Sequence, residues 1–173
     1  MKILNLHGLN GSCHNTNYEF LSKYYERNKD VEIVSPQIEY RDISPYIVIN
    51  ELFSDAASAD IIVGTSFGGF FAYVLGFILL KKTILFNPCI PPHEYIGKLE
   101  PDYAYLDELR NIWNSSAGQN HTYSMLLGDS DNVLDINTTL NILNPSNENY
   151  SIISGGHSLK GEEYESWFKE QLK

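Results

Sequence analysis

The chain has 173 residues, 43% of them hydrophobic, and a formal net charge of −10. That length favours one domain covering 1–173 with a sizeable core, and the acidic balance argues against a nucleic-acid partner or an anionic membrane surface, which need a basic face. No apolar stretch reaches the roughly 18 residues needed to cross a bilayer, and Met1-Lys2 runs directly into a strand with no secretory h-region, so a cytoplasmic protein without a membrane span is expected. Cys13 and Cys89 lie far apart, form no Cys-x-x-Cys pair and read as free thiols.

In chain order, Lys2-Ile3-Leu4-Asn5-Leu6 reads as a short strand, followed by the tight loop His7-Gly8-Leu9-Asn10-Gly11-Ser12. Residues 15–28 carry Tyr18, Leu21, Tyr24 and Tyr25 at helical spacing. Val31 to Val34 is a second strand, and Ser44-Pro45 opens a helix running to about Ala57, with proline at its first position. Ile61-Ile62-Val63 is a third, buried strand, leading through Gly64-Thr65-Ser66-Phe67-Gly68-Gly69 into an apolar helical run from Phe70 to Leu80. Thr83 to Phe86 is a fourth strand, closed by Asn87-Pro88. The rhythm then breaks from about Cys89 to Gln119, where prolines, tyrosines and one short helical stretch near Leu106 to Trp113 suggest an inserted, cap-like segment. Tyr123 to Leu127 and Tyr150 to Ile153 are the fifth and sixth strands, with helices over Leu134 to Leu143 and Glu162 to Leu172.

Strands alternating with helices predict an α/β fold: a parallel sheet of about six strands with helices on both faces and a short insertion after the fourth strand. Ligands of such sheets bind outside the carboxyl ends of the strands. His7, Ser66, Asp131 and His157 all fall at such ends.

Gly64-x-Ser66-x-Gly68 has the spacing of a sharp strand-to-helix turn that exposes a serine, the two glycines removing side chains where strand and helix come too close. A serine hydroxyl is a weak nucleophile and needs a base, which in turn needs an orienting acid. His157, in Gly155-Gly156-His157-Ser158 after the last strand, is the candidate base. Two acids follow the fifth strand. Asp129 is nearer the strand end and suits a turn cap, whereas Asp131 is followed two residues later by Val133, which can anchor its loop; Asp131 is preferred and Asp129 is the alternative. Asp135 suits the start of the next helix. The backbone N–H groups of Phe67 and Leu9 are the candidate oxyanion donors, with His7 bracing the Leu9 loop. His14, His93 and His121 lack partners at metal-ligand spacing, so no metal is expected, and no phosphate-binding glycine loop is present.

Together, His7-Gly8-Leu9-Asn10, Gly64-Thr65-Ser66-Phe67-Gly68-Gly69-Phe70, Asn87-Pro88, Asp131-Asn132-Val133-Leu134-Asp135 and Gly155-Gly156-His157 resemble the small single-domain α/β-hydrolases, and within them the YqiA-like esterases. The resemblance implies the α/β-hydrolase fold, hydrolysis of acyl esters or thioesters without a cofactor, and Asp131 as the acid. The expected function is a serine esterase that works through an acyl-enzyme, with Phe67, Tyr95, Tyr103 and Trp113 walling the acyl site. The alternatives are a thioesterase or amidase with the same triad, or a protein-binding module on a hydrolase scaffold. Nothing in the residues fixes an oligomeric state.

Overall fold

The structure, a computed structural model, describes residues 1–117, 121–146 and 149–173. Its elements are β1 (Lys2–Leu6), α1 (Thr16–Tyr24), β2 (Glu32–Val34), α2 (Pro45–Ser58), β3 (Ile61–Thr65), α3 (Ser66–Leu79), β4 (Lys82–Phe86), α4 (Pro92–Leu99), α5 (Leu106–Ser116), β5 (Tyr123–Gly128), α6 (Ile136–Leu143), β6 (Tyr150–Ile153) and α7 (Glu162–Gln171). The strands form one six-stranded sheet in the order β2-β1-β3-β4-β5-β6. Every neighbouring pair is parallel. This is the expected α/β-hydrolase architecture, with the predicted strands in place.

Alternation along the strands divides the core in two. Leu4, Leu6, Ile62, Leu85, Met125 and Leu127 point to one face, where they meet Val48 and Leu52 of α2, Phe70 and Phe71 of α3, and Leu109 and Trp113 of α5. Ile3, Ile61, Val63, Ile84, Phe86 and Leu126 point to the other, where they meet Phe20 and Leu21 of α1 and Tyr164 and Phe168 of α7. Helices therefore cover both faces, as parallel strands buried on both sides require. The chain crosses from β1 outward to β2, then returns past β1 to β3. That reversal opens a crevice between the carboxyl ends of β1 and β3, the usual ligand position in such sheets.

Three differences from the expectation go beyond one or two residues at an element's end. α1 ends at Tyr24 rather than Asn28, because the Asn28 N–H bonds the carbonyl of Tyr25 in a tighter turn. α3 starts at Ser66 itself, not at Phe70. The segment from Cys89 holds two helices rather than one. α5 packs on α2 and α3, and its Leu109, Ile112 and Trp113 are buried in the helix layer; the last residues assigned to that segment, 118 and 119, lie outside the described residues.

Phe168 is fully buried and its ring meets Phe20 at 4.7 Å, Phe86 at 4.8 Å and Tyr164 at 5.8 Å between centroids. Phe168→Ala is expected to lower unfolding stability by about 3–5 kcal/mol, measured as a shift of the urea midpoint. A loss below 1 kcal/mol, on the order of a surface substitution, would contradict this account of the second core.

Candidate active site

β3 ends at Thr65 and α3 begins at the next residue, so the chain reverses within one peptide unit. Ser66 takes up that reversal with φ of +52°, a left-handed conformation that costs an L-residue roughly 1–2 kcal/mol. The turn is this tight because glycines flank it. A Cβ on Gly64 would lie 2.5 Å from the Gly68 carbonyl oxygen, and one on Gly68 would lie 2.3 Å from the carbonyl oxygen of His7. The Cys89 N–H donates to the Ser66 carbonyl at 2.9 Å and ties the turn to the end of β4. Ser66 thus sits at the N-terminus of a 14-residue helix, beside unpaired amide hydrogens and the positive end of its dipole. The Phe67 N–H belongs to that first turn, while the Phe67 ring is fully buried among Tyr40, Phe70 and Phe71.

The loop after β1 abuts this turn, since a Cβ on Gly8 would lie 3.1 Å from the Ser66 Cβ. His7 is 1% exposed. Its Nε2 accepts from the Ile38 N–H at 3.0 Å, which leaves Nδ1 to donate to the Gly8 carbonyl at 2.8 Å. Tyr40 donates its hydroxyl to the His7 carbonyl at 2.9 Å. The imidazole and the phenol together hold the Gly8-Leu9 backbone against Ser66.

The loops after β5 and β6 bring the remaining groups. His157 Nε2 lies 2.9 Å from Ser66 Oγ, and Nδ1 lies 2.8 Å from Asp131 Oδ2. The Asp131 side chain is 1% exposed, and its other oxygen accepts from the Val133 N–H at 2.8 Å and the Leu134 N–H at 3.0 Å. Burial pushes this carboxyl up, but the hydrogen bond to His157 and those from Leu134 and Val133 outweigh it, so Asp131 titrates below the ordinary aspartate range. An ionised Asp131 is an acceptor only, which sets Nδ1 as the donor and leaves Nε2 free to accept from the serine hydroxyl. Asp129 turns elsewhere. Its Oδ1 accepts from the Ser130 hydroxyl at 2.8 Å and the Gly155 N–H at 3.1 Å, bracing the turn between the two loops, and these bonds lower its pKa. Asp135 caps α6 through the Asn137 N–H at 3.0 Å.

Asn87 was not singled out as a site residue, yet it organises this corner. It is 2% exposed. Its amide donates to the carbonyls of Gly156 at 3.1 Å and His157 at 2.9 Å, and its oxygen accepts the Gly128 N–H at 2.8 Å. One side chain thereby joins the ends of β4 and β5 to the loop that carries His157. The Asn-Pro pair after the fourth strand, and the tolerance of asparagine for positive φ, here +39°, were its signals.

A pocket of about 190 Å³ opens beside Ser66, between the β1 and β6 loops and helices α1 and α7. Leu9, Thr65, Phe86, His157, Leu159 and Tyr164 are among its walls. Phe67, Tyr95, Tyr103 and Trp113 are not, because all four belong to the opposite helix layer: the Phe67 ring is fully buried there, Trp113 packs on Tyr73 at 5.9 Å, and the Tyr95 hydroxyl accepts from the Asp135 N–H at 3.1 Å. Among the described residues, no group of three or more His, Cys, Asp or Glu gathers to hold a metal ion, and no helix is long and apolar enough to cross a membrane.

Replacing Asn87 with alanine strands the buried Gly128 N–H and frees two carbonyls of the His157 loop. Asn87→Ala is expected to lower stability by about 1–3 kcal/mol and to speed amide exchange at Gly128 and through residues 156–158. An unchanged urea midpoint together with unchanged exchange would show that the clamp is not needed.

Several solved structures share the architecture. An α/β-hydrolase enzyme from the metagenome of sediments of the Mar Chica lagoon, Morocco, superposes with a TM-score of 0.65 at 16% identity, covering 100% of this chain and 92% of that one. A carboxylesterase of the thaumarchaeon Nitrososphaera gargenis gives a TM-score of 0.66 at 12% identity, covering 99% and 89%. A variant of SOBER1 from Arabidopsis thaliana gives 0.61 at 15% identity, covering 100% of both chains. At these identities the likeness is one of fold. At the level of sequence, the model of the uncharacterised protein family UPF0227 matches residues 2–168, so the chain belongs to this YqiA-like family of α/β-hydrolase fold.

Proposed function

We propose that the protein is a serine hydrolase that cleaves carboxylic esters through an acyl-enzyme. The observation that carries this reading is the run of contacts Ser66 Oγ, His157 Nε2, His157 Nδ1 and Asp131 Oδ2, at 2.9 and 2.8 Å, beside a pocket. Ser66 Oγ attacks the ester carbonyl as its proton passes to His157 Nε2. The imidazolium is stabilised by ionised Asp131, and the negative oxygen of the tetrahedral intermediate lies against the N–H groups of Phe67 and Leu9. His157 then protonates the departing alkoxide as the carbon–oxygen bond breaks. In the second half, His157 takes a proton from water, hydroxide attacks the acyl carbon, and the acid leaves as Ser66 regains its proton. Asp131 is held below its ordinary range, so it stays ionised through neutral pH and can balance the charge of the imidazolium. The α/β-hydrolase enzyme and the carboxylesterase of like fold support the ester as the bond that is cut.

Ser66→Ala should lower kcat on short p-nitrophenyl esters by at least about 10³-fold, and Asp131→Asn by about 10⁴-fold at neutral pH. Asp129→Asn should cost far less than Asp131→Asn. Turnover within a few-fold of wild type in the Ser66 variant would sink the mechanism, and a larger loss from Asp129 than from Asp131 would reassign the acid.

A further inference from the structure

Behind Ser66 a directed chain of hydrogen bonds ends at the pocket. The Tyr164 hydroxyl donates to Asn17 Oδ1 at 2.8 Å, and Asn17 Nδ2 donates to Thr65 Oγ1 at 2.8 Å. Tyr164 and Asn17 are 2% and 3% exposed, so neither exchanges freely with water. Each bond sets the direction of the next. The tyrosine proton commits the asparagine oxygen, the asparagine amide is thereby turned toward Thr65, and the Thr65 oxygen is used as an acceptor. The threonine's own hydrogen is left to donate elsewhere. Thr65 holds the N-cap position of α3 but makes no side-chain capping bond, and no hydrogen bond from its hydroxyl to another described residue is formed. The residue is partly exposed, immediately precedes Ser66 and walls the same pocket as Ser66 and His157.

We propose that Thr65 is a substrate-recognition residue whose hydroxyl, oriented by Tyr164 and Asn17, donates to an acceptor oxygen on the short group seated in this pocket. The inference rests on the ester-hydrolase reading and narrows its substrate class. A volume of about 190 Å³ is below the roughly 300–1,000 Å³ of sites for drug-sized ligands, so the seated group is short. Its other contacts are mixed, with Leu9, Phe86 and Leu159 supplying apolar wall. The favoured esters carry an ether, keto or hydroxyl oxygen a few atoms from the scissile carbonyl, rather than a plain alkyl chain.

The test uses isosteric pairs that differ by CH₂ against O. p-Nitrophenyl methoxyacetate is compared with p-nitrophenyl butyrate, which places the oxygen in the acyl group; 2-methoxyethyl acetate is compared with butyl acetate, which places it in the alcohol. Each kcat/KM is divided by the ester's rate of alkaline hydrolysis, and the ether-to-alkyl ratio is read for wild type and variants. Thr65→Val is expected to lower the ratio by roughly tenfold in one pair, as loss of a single hydrogen bond implies. The pair affected identifies which side of the ester enters the pocket. Thr65→Ser keeps the hydroxyl and should hold the ratio within about twofold of wild type. Tyr164→Phe leaves Thr65 intact but releases Asn17, and should lower the same ratio; it reads the relay even where the valine variant does not fold. Turnover with ratios unchanged in both pairs by these variants would overturn the donor role alone. Wild-type protein that cleaves none of the four esters would instead overturn the hydrolase reading beneath it.

Discussion

The carbonyl oxygen of His7 comes to 2.3 Å of where a methyl group would stand on residue 68, and that of Leu6 to 2.5 Å. This near-contact between the end of β1 and the first turn of α3 sets the geometry around it. Glycine at 64 and 68 allows β3 to turn into α3 within one residue, and the turn forces Ser66 into positive φ. Because β1 and β3 are neighbours, the loop after β1 falls beside that serine without any long-range accident of folding. A larger residue at either glycine would push α3 from the sheet and separate the two loops together. The conformational cost at Ser66 is offset by the buried apolar contacts of α3, whose Phe70, Phe71 and Leu75 are fully enclosed.

Around this turn, polar contacts are made by residues with few alternatives. His7 is wedged between a backbone donor and a backbone acceptor. Asn87 uses both halves of its amide to join three strand ends. Asp131 accepts two backbone N–H groups with one oxygen and the imidazole with the other. Buried polar groups without partners are costly, so these networks fix rotamers as well as supply energy. Preorganisation of this kind is what electrostatic stabilisation of a transition state requires, since no dipole then has to turn during the reaction.

The sheet was legible because buried strands of a parallel sheet appear as short apolar runs ended by turn residues, and six such runs were present. The chain order Ser66, Asp131, His157 was legible for the same reason: strand ends of a parallel sheet share one edge, whatever their distance in sequence. Asp131 was preferred over Asp129 for the apolar Val133 that follows it, and in the fold the N–H groups of Val133 and Leu134 turn back on the carboxylate, a loop geometry no sequence pattern spells out. The first helix after β4, α4, was hidden by its two leading prolines, which punctuate a sequence but also suit a helix start at Pro92. Phe67, Tyr95, Tyr103 and Trp113 were expected at the pocket because aromatic residues near a site suggest a wall, yet all four are buried in the helix layer on the other face of the sheet, a tertiary outcome. Asn17 and Tyr164 gave no local signal at all. One sits in the first turn of α1 and the other on the apolar face of α7, and their meeting with Thr65 is purely tertiary.

The central claim is that Ser66 is an activated nucleophile. Labelling of the folded protein with a fluorophosphonate, followed by mass spectrometry of the digested chain, tests it most directly. The account predicts a single adduct on Ser66, lost when the protein is unfolded before labelling and strongly slowed by His157→Ala. No adduct on folded protein, or one on another serine while Ser66 stays unmodified, would contradict it.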